Sequence, residues 1–247
     1  MNNLHLNNYP VINLYKRTSL KSEVVTQMIY GESFKIITKS LKWLKIKIIN
    51  DKYIGYVKKK RFSSYVKPTH KVSVLFAKIY KKPNLKSEIA KLPYTSKIKI
   101  EKINSRFSKF QNNWIETKNI KPMKYKNKNI FKDIKIFKNV KYVWGGKSYK
   151  GIDCSALIQV CLNFNNQFCP RDSDQQLKYF KKSTNIKNIK KNDIIYWKGH
   201  VAVALSGKKL IHAYGPRKNT VIMNIAKTIK LIEKTTALKV VTVKRIT

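Results

Sequence analysis

The sequence predicts a multidomain chain: two small all-β barrels followed by a mixed α+β domain. Three observations carry that prediction. A segment near the start returns 65 residues later. Both copies run on into short strands of alternating polarity. The last half sets a glycine-rich turn and an apolar helix ahead of two β-type runs, each holding a histidine.

The first barrel is expected over 1–66. Leu14-Tyr15, then Leu20-Lys21-Ser22-Glu23, lead into alternating strands from Ser33 and Trp43 and a finish at Gly55-Tyr56-Val57. The second barrel, over 67–127, repeats the opening as Ile79-Tyr80 and Leu85-Lys86-Ser87-Glu88, with strands from Lys97 and Trp114. Short strands about ten residues apart are the pattern of small barrels. The Lys58–Arg61 run reads as a solvated turn face.

The boundary before the third domain, 128–247, falls in a Lys/Asn/Pro stretch from Lys121 to Asn129 that has no periodicity. Ile130–Phe137 reads as a helix or strand leading to Tyr142-Val143-Trp144. Gly145, Gly146 and Gly151 then break regular structure. Asp153 is a good N-cap for the apolar run that follows, which puts Cys154 in the first turn of a helix. Unpaired N–H groups and the helix dipole there favour a thiolate, so Cys154 is a candidate nucleophile, with a small core residue as the other reading. Downstream, His200 and His212 flank a turn at Ser206-Gly207. A three-residue loop centred on Ser206 sets the two rings directly opposite each other on one face, and a two-residue turn sets them on opposite faces. The tail reads as a helix from Ile225 and a closing strand after Ala237.

Charge limits the functional classes. The formal net charge is +42, but only six of the 54 basic residues are arginine. Lysine scattered from end to end, with abundant Asn and Ile, is a composition bias rather than a nucleic-acid surface, so no nucleic acid is expected as partner. Salt-sensitive attraction to anionic polymers, acidic wall material included, fits better. Cys154, Cys161 and Cys169 form no disulfide framework, and Cys161 reads as a buried apolar residue. No Cys-x-x-Cys pair is present; no metal and no cofactor are expected. No apolar stretch is long enough to span a bilayer. Met1-Asn2-Asn3-Leu4-His5 has neither basic start nor apolar run, so a cytoplasmic protein without secretory signal is expected, with wall association or another export route left open.

Tyr142-Val143-Trp144-Gly145-Gly146, Asp153-Cys154-Ser155, Pro170 to Ser173, Asn192-Asp193, Gly199-His200-Val201 and Ile211-His212-Ala213 together resemble the NlpC family of cell-wall cysteine peptidases. Ala156 and Ala202 depart mildly, standing where glycine is common in that family. The repeats resemble the bacterial SH3-like domains that often precede an NlpC domain. Nearly the whole chain is similar to recycling-type dipeptidyl peptidases, which implies two SH3-like barrels and an α+β papain-like catalytic domain.

The resemblance implies a chemistry. Cys154 attacks an amide carbonyl, His200 is the general base, and His212 orients His200. The Cys154 N–H and Tyr142 serve as oxyanion donors. The implied substrate is a peptidoglycan stem peptide with a free N-terminal L-alanine, cut at its γ-D-glutamyl–diamino-acid bond, by a monomer. A free amine needs buried acceptors. Asp153, Ser155 and Ser173 match positions that line that pocket, and Arg171 with Asp172 shapes the cleft as an ion pair. Glu23 and Tyr56 are candidates from the first barrel; Glu23 reads alternatively as holding a turn, which its counterpart Glu88 in the second copy favours. Ser173 reads alternatively as a helix cap. Tyr142 and Trp144 read as aromatic packing or, for Trp144, as groove lining. An amidase or acyltransferase on the same frame, and a non-catalytic wall-binding protein, are the competing functions.

Overall fold

A computed structural model describes residues 4–246. Met1 to Asn3, the start of the stretch read above for a leader and of the first expected domain, lie outside the described residues, as does Thr247 at the end of the third. The chain divides into two compact units. One runs to Lys126 and includes Lys147–Tyr149; the other comprises Asn127–Gly146 and the chain from Lys150.

The first unit is all β. Its first sheet holds β1 (Leu4–Leu6), β2 (Val11–Tyr15), β3 (Val24–Ile29), β4 (Ser33–Lys39), β5 (Trp43–Ile48), β6 (Ile54–Lys58) and β7 (Ser63–Ser64). These lie in the antiparallel order β3-β2-β6-β5-β4-β1-β7. Strand alternation explains the burial: in β5, Leu44, Ile46 and Ile48 point into a core with Leu14, Met28 and Phe34, while Lys45 and Lys47 point away. Beyond it come β8 (His70–Val72), β9 (Phe76–Tyr80), β10 (Glu88–Pro93), β11 (Lys97–Ile98), β12 (Lys102–Ile103), β13 (Phe107–Phe110), β14 (Asn113–Glu116) and β15 (Ile120–Pro122). Five of these form the sheet β10-β9-β14-β13-β12, and three form β11-β8-β15.

The order β10-β9-β14-β13-β12 repeats β3-β2-β6-β5-β4 strand for strand. The repeated loop is built the same way in both copies: the Ser22 hydroxyl accepts from the Arg17 N–H at 3.0 Å, and the Ser87 hydroxyl from the Lys82 N–H at 3.1 Å. Trp114 stands opposite Tyr80, as Tyr56 stands opposite Tyr15. Its counterpart in the first copy is therefore Tyr56 and not Trp43. Deep in this unit, the Lys147 ammonium lies 2.8 and 2.9 Å from the two carboxylate oxygens of Glu32, and both side chains are buried.

The second unit is mixed. Ile134–Phe137, expected as a helix or strand, is a short 3-10 turn. After β16 (Lys147–Ser148) in the first unit and β17 (Gly151–Ile152) in the second comes helix α1 (Cys154–Phe164). It is buried on all sides, as its apolar run requires, and Cys161 sits within that packing. Helix α2 (Ser173–Tyr179) is followed by β18 (Ser183–Thr184), β19 (Ile194–Trp197), β20 (His200–Ala204), β21 (Lys209–Tyr214) and β22 (Asn219–Asn224). The chain then forms α3 (Ile225–Thr236) and β23 (Thr242–Lys244). The sheet order is β18-β23-β19-β20-β21-β22. The helix α3 buries Ile225, Thr228 and Ile232 and starts on an Asn224 cap. Among the described residues no helix is long and apolar enough to cross a membrane.

Candidate active site

Asp153 caps α1 as its residue type predicts, accepting the Ala156 N–H at 2.8 Å on Oδ1. The turn before it is tight. A Cβ on Gly146 would stand 2.6 Å from the Gly151 carbonyl oxygen, so only glycine lets the chain fold back there. The Gly145 N–H donates to Asp153 Oδ2 at 3.0 Å, and Ser155 Oγ donates to Oδ1 at 3.2 Å. Arg171, 1% exposed, reaches across from the loop before α2 and grips both oxygens, at 3.0 and 2.5 Å. It also donates to Ser155 Oγ at 3.0 Å. The guanidinium expected to pair with Asp172 thus clamps Asp153 and Ser155, the two neighbours of Cys154.

Cys154, the first residue of α1, is buried. The backbone N–H groups of Val201, the neighbour of His200 on β20, and of Ser155 face the thiol and favour its charged form. Burial, helped by the charge of Asp153, nevertheless pushes the thiol up to about 12. The thiolate expected from a helix N-terminus is therefore not the resting form; desolvation outweighs the N–H groups and the dipole. Burial likewise pushes His200 down to about 4. The pair rests as thiol and neutral imidazole at pH 7, which suits a base that takes the proton during attack.

Gly199, at φ +73°, turns the chain out of β19 and makes His200 the first residue of β20. The β20–β21 loop is centred on Gly207, one residue later than expected, because Val203 pairs with Ile211 and Leu205 bonds back to Lys209. His200 and His212 are consequently diagonal rather than opposed. They still share a face, and His200 Nε2 lies 2.9 Å from His212 Nδ1. His212 is fully buried, and its burial and the neighbouring His200 push it down to about 3. Tyr214 stacks on it at 4.6 Å between ring centroids and 9° between planes, and Trp197 lies 5.6 Å from His200.

The remaining expected residues are placed as follows. Tyr142 is half-buried; its hydroxyl is held protonated by burial and then by the nearby Cys154 and Asp153. Trp144 is 60% exposed. Ser173 is the first residue of α2 and not its cap, and its hydroxyl makes no hydrogen bond among the described residues. Glu23 and Tyr56 belong to the first unit. There Glu23 pairs with Lys16 at 3.2 Å across the repeated loop, and Tyr56 sits on β6 with the Lys45 ammonium 5.8 Å from its ring centre. Sequence reasoning missed Tyr214, Trp197 and Met223. Tyr214 was within reach, two residues past His212 on the same face of a strand; Met223 was not, because finding it needs the β21–β22 register. No group of His, Cys, Asp and Glu among the described residues is arranged to hold a metal ion.

Two family models match: the NlpC/P60 family over residues 139–238, and the bacterial dipeptidyl-peptidase Sh3 domain over 14–61. A dipeptidyl-peptidase 6 of Lysinibacillus sphaericus is 23% identical over 231 residues, 81% of this chain and 84% of that protein. A gamma-D-glutamyl-L-lysine dipeptidyl-peptidase of Bacillus subtilis (strain 168) is 30% identical over 101 residues, 38% of this chain and 34% of that one. The crystal structure of a NlpC/P60 family protein from Bacillus cereus ATCC 10987 shares the fold, with a TM-score of 0.84 at 16% identity over 98% of this chain and 99% of that one.

Proposed function

Starting from a chain that carries a bacterial dipeptidyl-peptidase SH3 domain ahead of an NlpC/P60 domain, we propose that Cys154, His200 and His212 make it a cysteine peptidase of peptidoglycan stem peptides. NlpC/P60 peptidases are cysteine peptidases acting on peptidoglycan, and dipeptidyl peptidases are among the relatives. The observation that carries the reading is that the Cys154 thiol faces the backbone of Val201, the residue after His200, whose ring is bonded to His212. The bond cut is the γ-D-glutamyl–diamino-acid amide of a peptide with a free N-terminal L-alanine. The domains divide as 1–66, 67–127 and 128–247, with the recurring strand order supporting a second SH3-like barrel and α1 against the six-stranded sheet supporting a papain-like third domain.

The Cys154 sulfur attacks the carbonyl carbon while its proton passes to His200. The oxyanion is met by the Cys154 N–H and the Tyr142 hydroxyl. Collapse expels the diamino acid, whose amine takes the proton from His200, and water then hydrolyses the thioester. Ser155 and Ser173 receive the alanine ammonium, Asp153 supplies negative charge behind Ser155, and Trp144 lines the groove.

Incubating the pure protein with L-Ala-γ-D-Glu-diaminopimelate tests this. Free diaminopimelate is expected from the peptide, and none from the N-acetylated peptide or from the Cys154→Ala protein. Hydrolysis of a lipid ester with no diaminopimelate released would favour the amidase or acyltransferase alternative, and wall binding without any hydrolysis the non-catalytic one.

A further inference from the structure

His212 uses both ring nitrogens. Nδ1 faces His200 Nε2 at 2.9 Å, and Nε2 faces the thioether sulfur of Met223 at 3.4 Å. Met223 lies on β22 two residues past Val221, which pairs with His212, so its side chain comes in diagonally on the same face. The ring is fully buried, and among the described residues the sulfur is the partner of Nε2.

The proton positions follow from what sulfur can do. A thioether accepts weakly and has nothing to donate. Burial keeps both rings neutral at pH 7, so each carries one N–H, and one hydrogen occupies the bond between them. If that hydrogen belongs to His212 Nδ1, then His212 Nε2 turns a bare lone pair on the sulfur lone pairs. His200 then carries its own hydrogen on Nδ1 and has no free nitrogen for a proton. If the hydrogen belongs to His200 Nε2, His212 Nε2–H donates to Met223. His200 Nδ1 is then the free base.

We propose that Met223 is a positioning residue: its sulfur selects the Nε2–H tautomer of His212, and through it leaves His200 Nδ1 unprotonated to receive the Cys154 proton. The consequence for turnover rests on the peptidase reading above; the tautomer itself does not. Methionine is doing here what a carboxylate or carbonyl does behind a catalytic histidine elsewhere, with a weaker acceptor.

The test uses the full chain with 15N-labelled histidine. His5→Gln and His70→Gln remove the other two of the four histidines, and long-range 1H–15N correlations at pH 7 then report which nitrogen of each ring holds hydrogen. The expected result is His212 protonated on Nε2 and His200 on Nε2, with His200 Nδ1 bare. His212 protonated on Nδ1 would overturn the proposal without any variant. Met223→Leu keeps the bulk and removes the acceptor. Loss of one neutral hydrogen bond moves the tautomer ratio by about two- to tenfold, with kcat falling in step with the competent fraction and KM unchanged. An unchanged ratio in a folded Met223→Leu protein also refutes the proposal. Should the tautomers be as stated in a protein that cleaves no stem peptide, the peptidase reading fails and this one stands.

Discussion

Acid should loosen the second unit through its histidine pair. Burial holds His200 down to about 4 and His212 to about 3, against an ordinary value of 6.5. Folded-state values lying below the unfolded ones make the unfolded chain bind more protons, so stability is full above pH 6.5 and is lost as pH falls towards the folded values. At pH 5 an unfolded histidine gains about 2 kcal/mol from protonation while its buried counterpart stays neutral, so the pair together removes about 4 kcal/mol relative to neutral pH. His212→Gln cancels about half of that loss, whatever the substitution does at pH 7. Amide hydrogen exchange over residues 194–214, in both proteins at pH 7 and pH 5, reads the opening free energy of that sheet locally. The wild type should lose about 2 kcal/mol more on acidification than the variant. Equal losses in the two proteins would show that the rings are not buried neutral, and the reasoning would be wrong.

The other predictions concern two buried ion pairs and one hydroxyl of the candidate site. Glu32→Gln leaves the Lys147 ammonium buried opposite a neutral amide, and should cost the first unit about 3–5 kcal/mol in urea unfolding; Glu32→Gln paired with Lys147→Met should recover much of it. Arg171→Met strips Asp153 of its clamp and frees Ser155, which should lower kcat/KM for the stem peptide by at least tenfold while circular dichroism shows a folded protein. Ser173→Ala should raise KM for the free-amine peptide severalfold with little change in kcat, because the hydroxyl is unengaged in the structure and does not touch the reacting bond.

Much of this arrangement was legible in the chain because it is local. Asp153 before an apolar run specifies a helix start, and Gly199 before a β-type run specifies where β20 begins, with no knowledge of anything distant. The repeat at 65 residues carried over to strand order because both copies hold the same serine-closed loop. What could not be read depends on register and burial. The histidine hairpin turns one residue later than expected because Ser206-Gly207 marks a turn without saying which residue is its centre. Trp114 looks in sequence like a second Trp43, but pairing, not residue type, decides that it corresponds to Tyr56. Cysteine at a helix N-terminus argues for a thiolate until the depth of burial is known, and then the balance reverses. Met223 reaches His212 only through the β21–β22 register, the Glu32–Lys147 pair joins residues 115 apart in the chain, and no motif announces either.

The central claim is that the sulfur of Cys154 attacks only because the ring of His200 takes its proton. Comparing diaminopimelate release from the stem tripeptide by wild-type and His200→Ala proteins, at equal enzyme concentration and pH 7, tests it most directly. The account predicts turnover by the wild type and a loss of at least 10²-fold in the variant; undiminished release by the His200→Ala protein would contradict it.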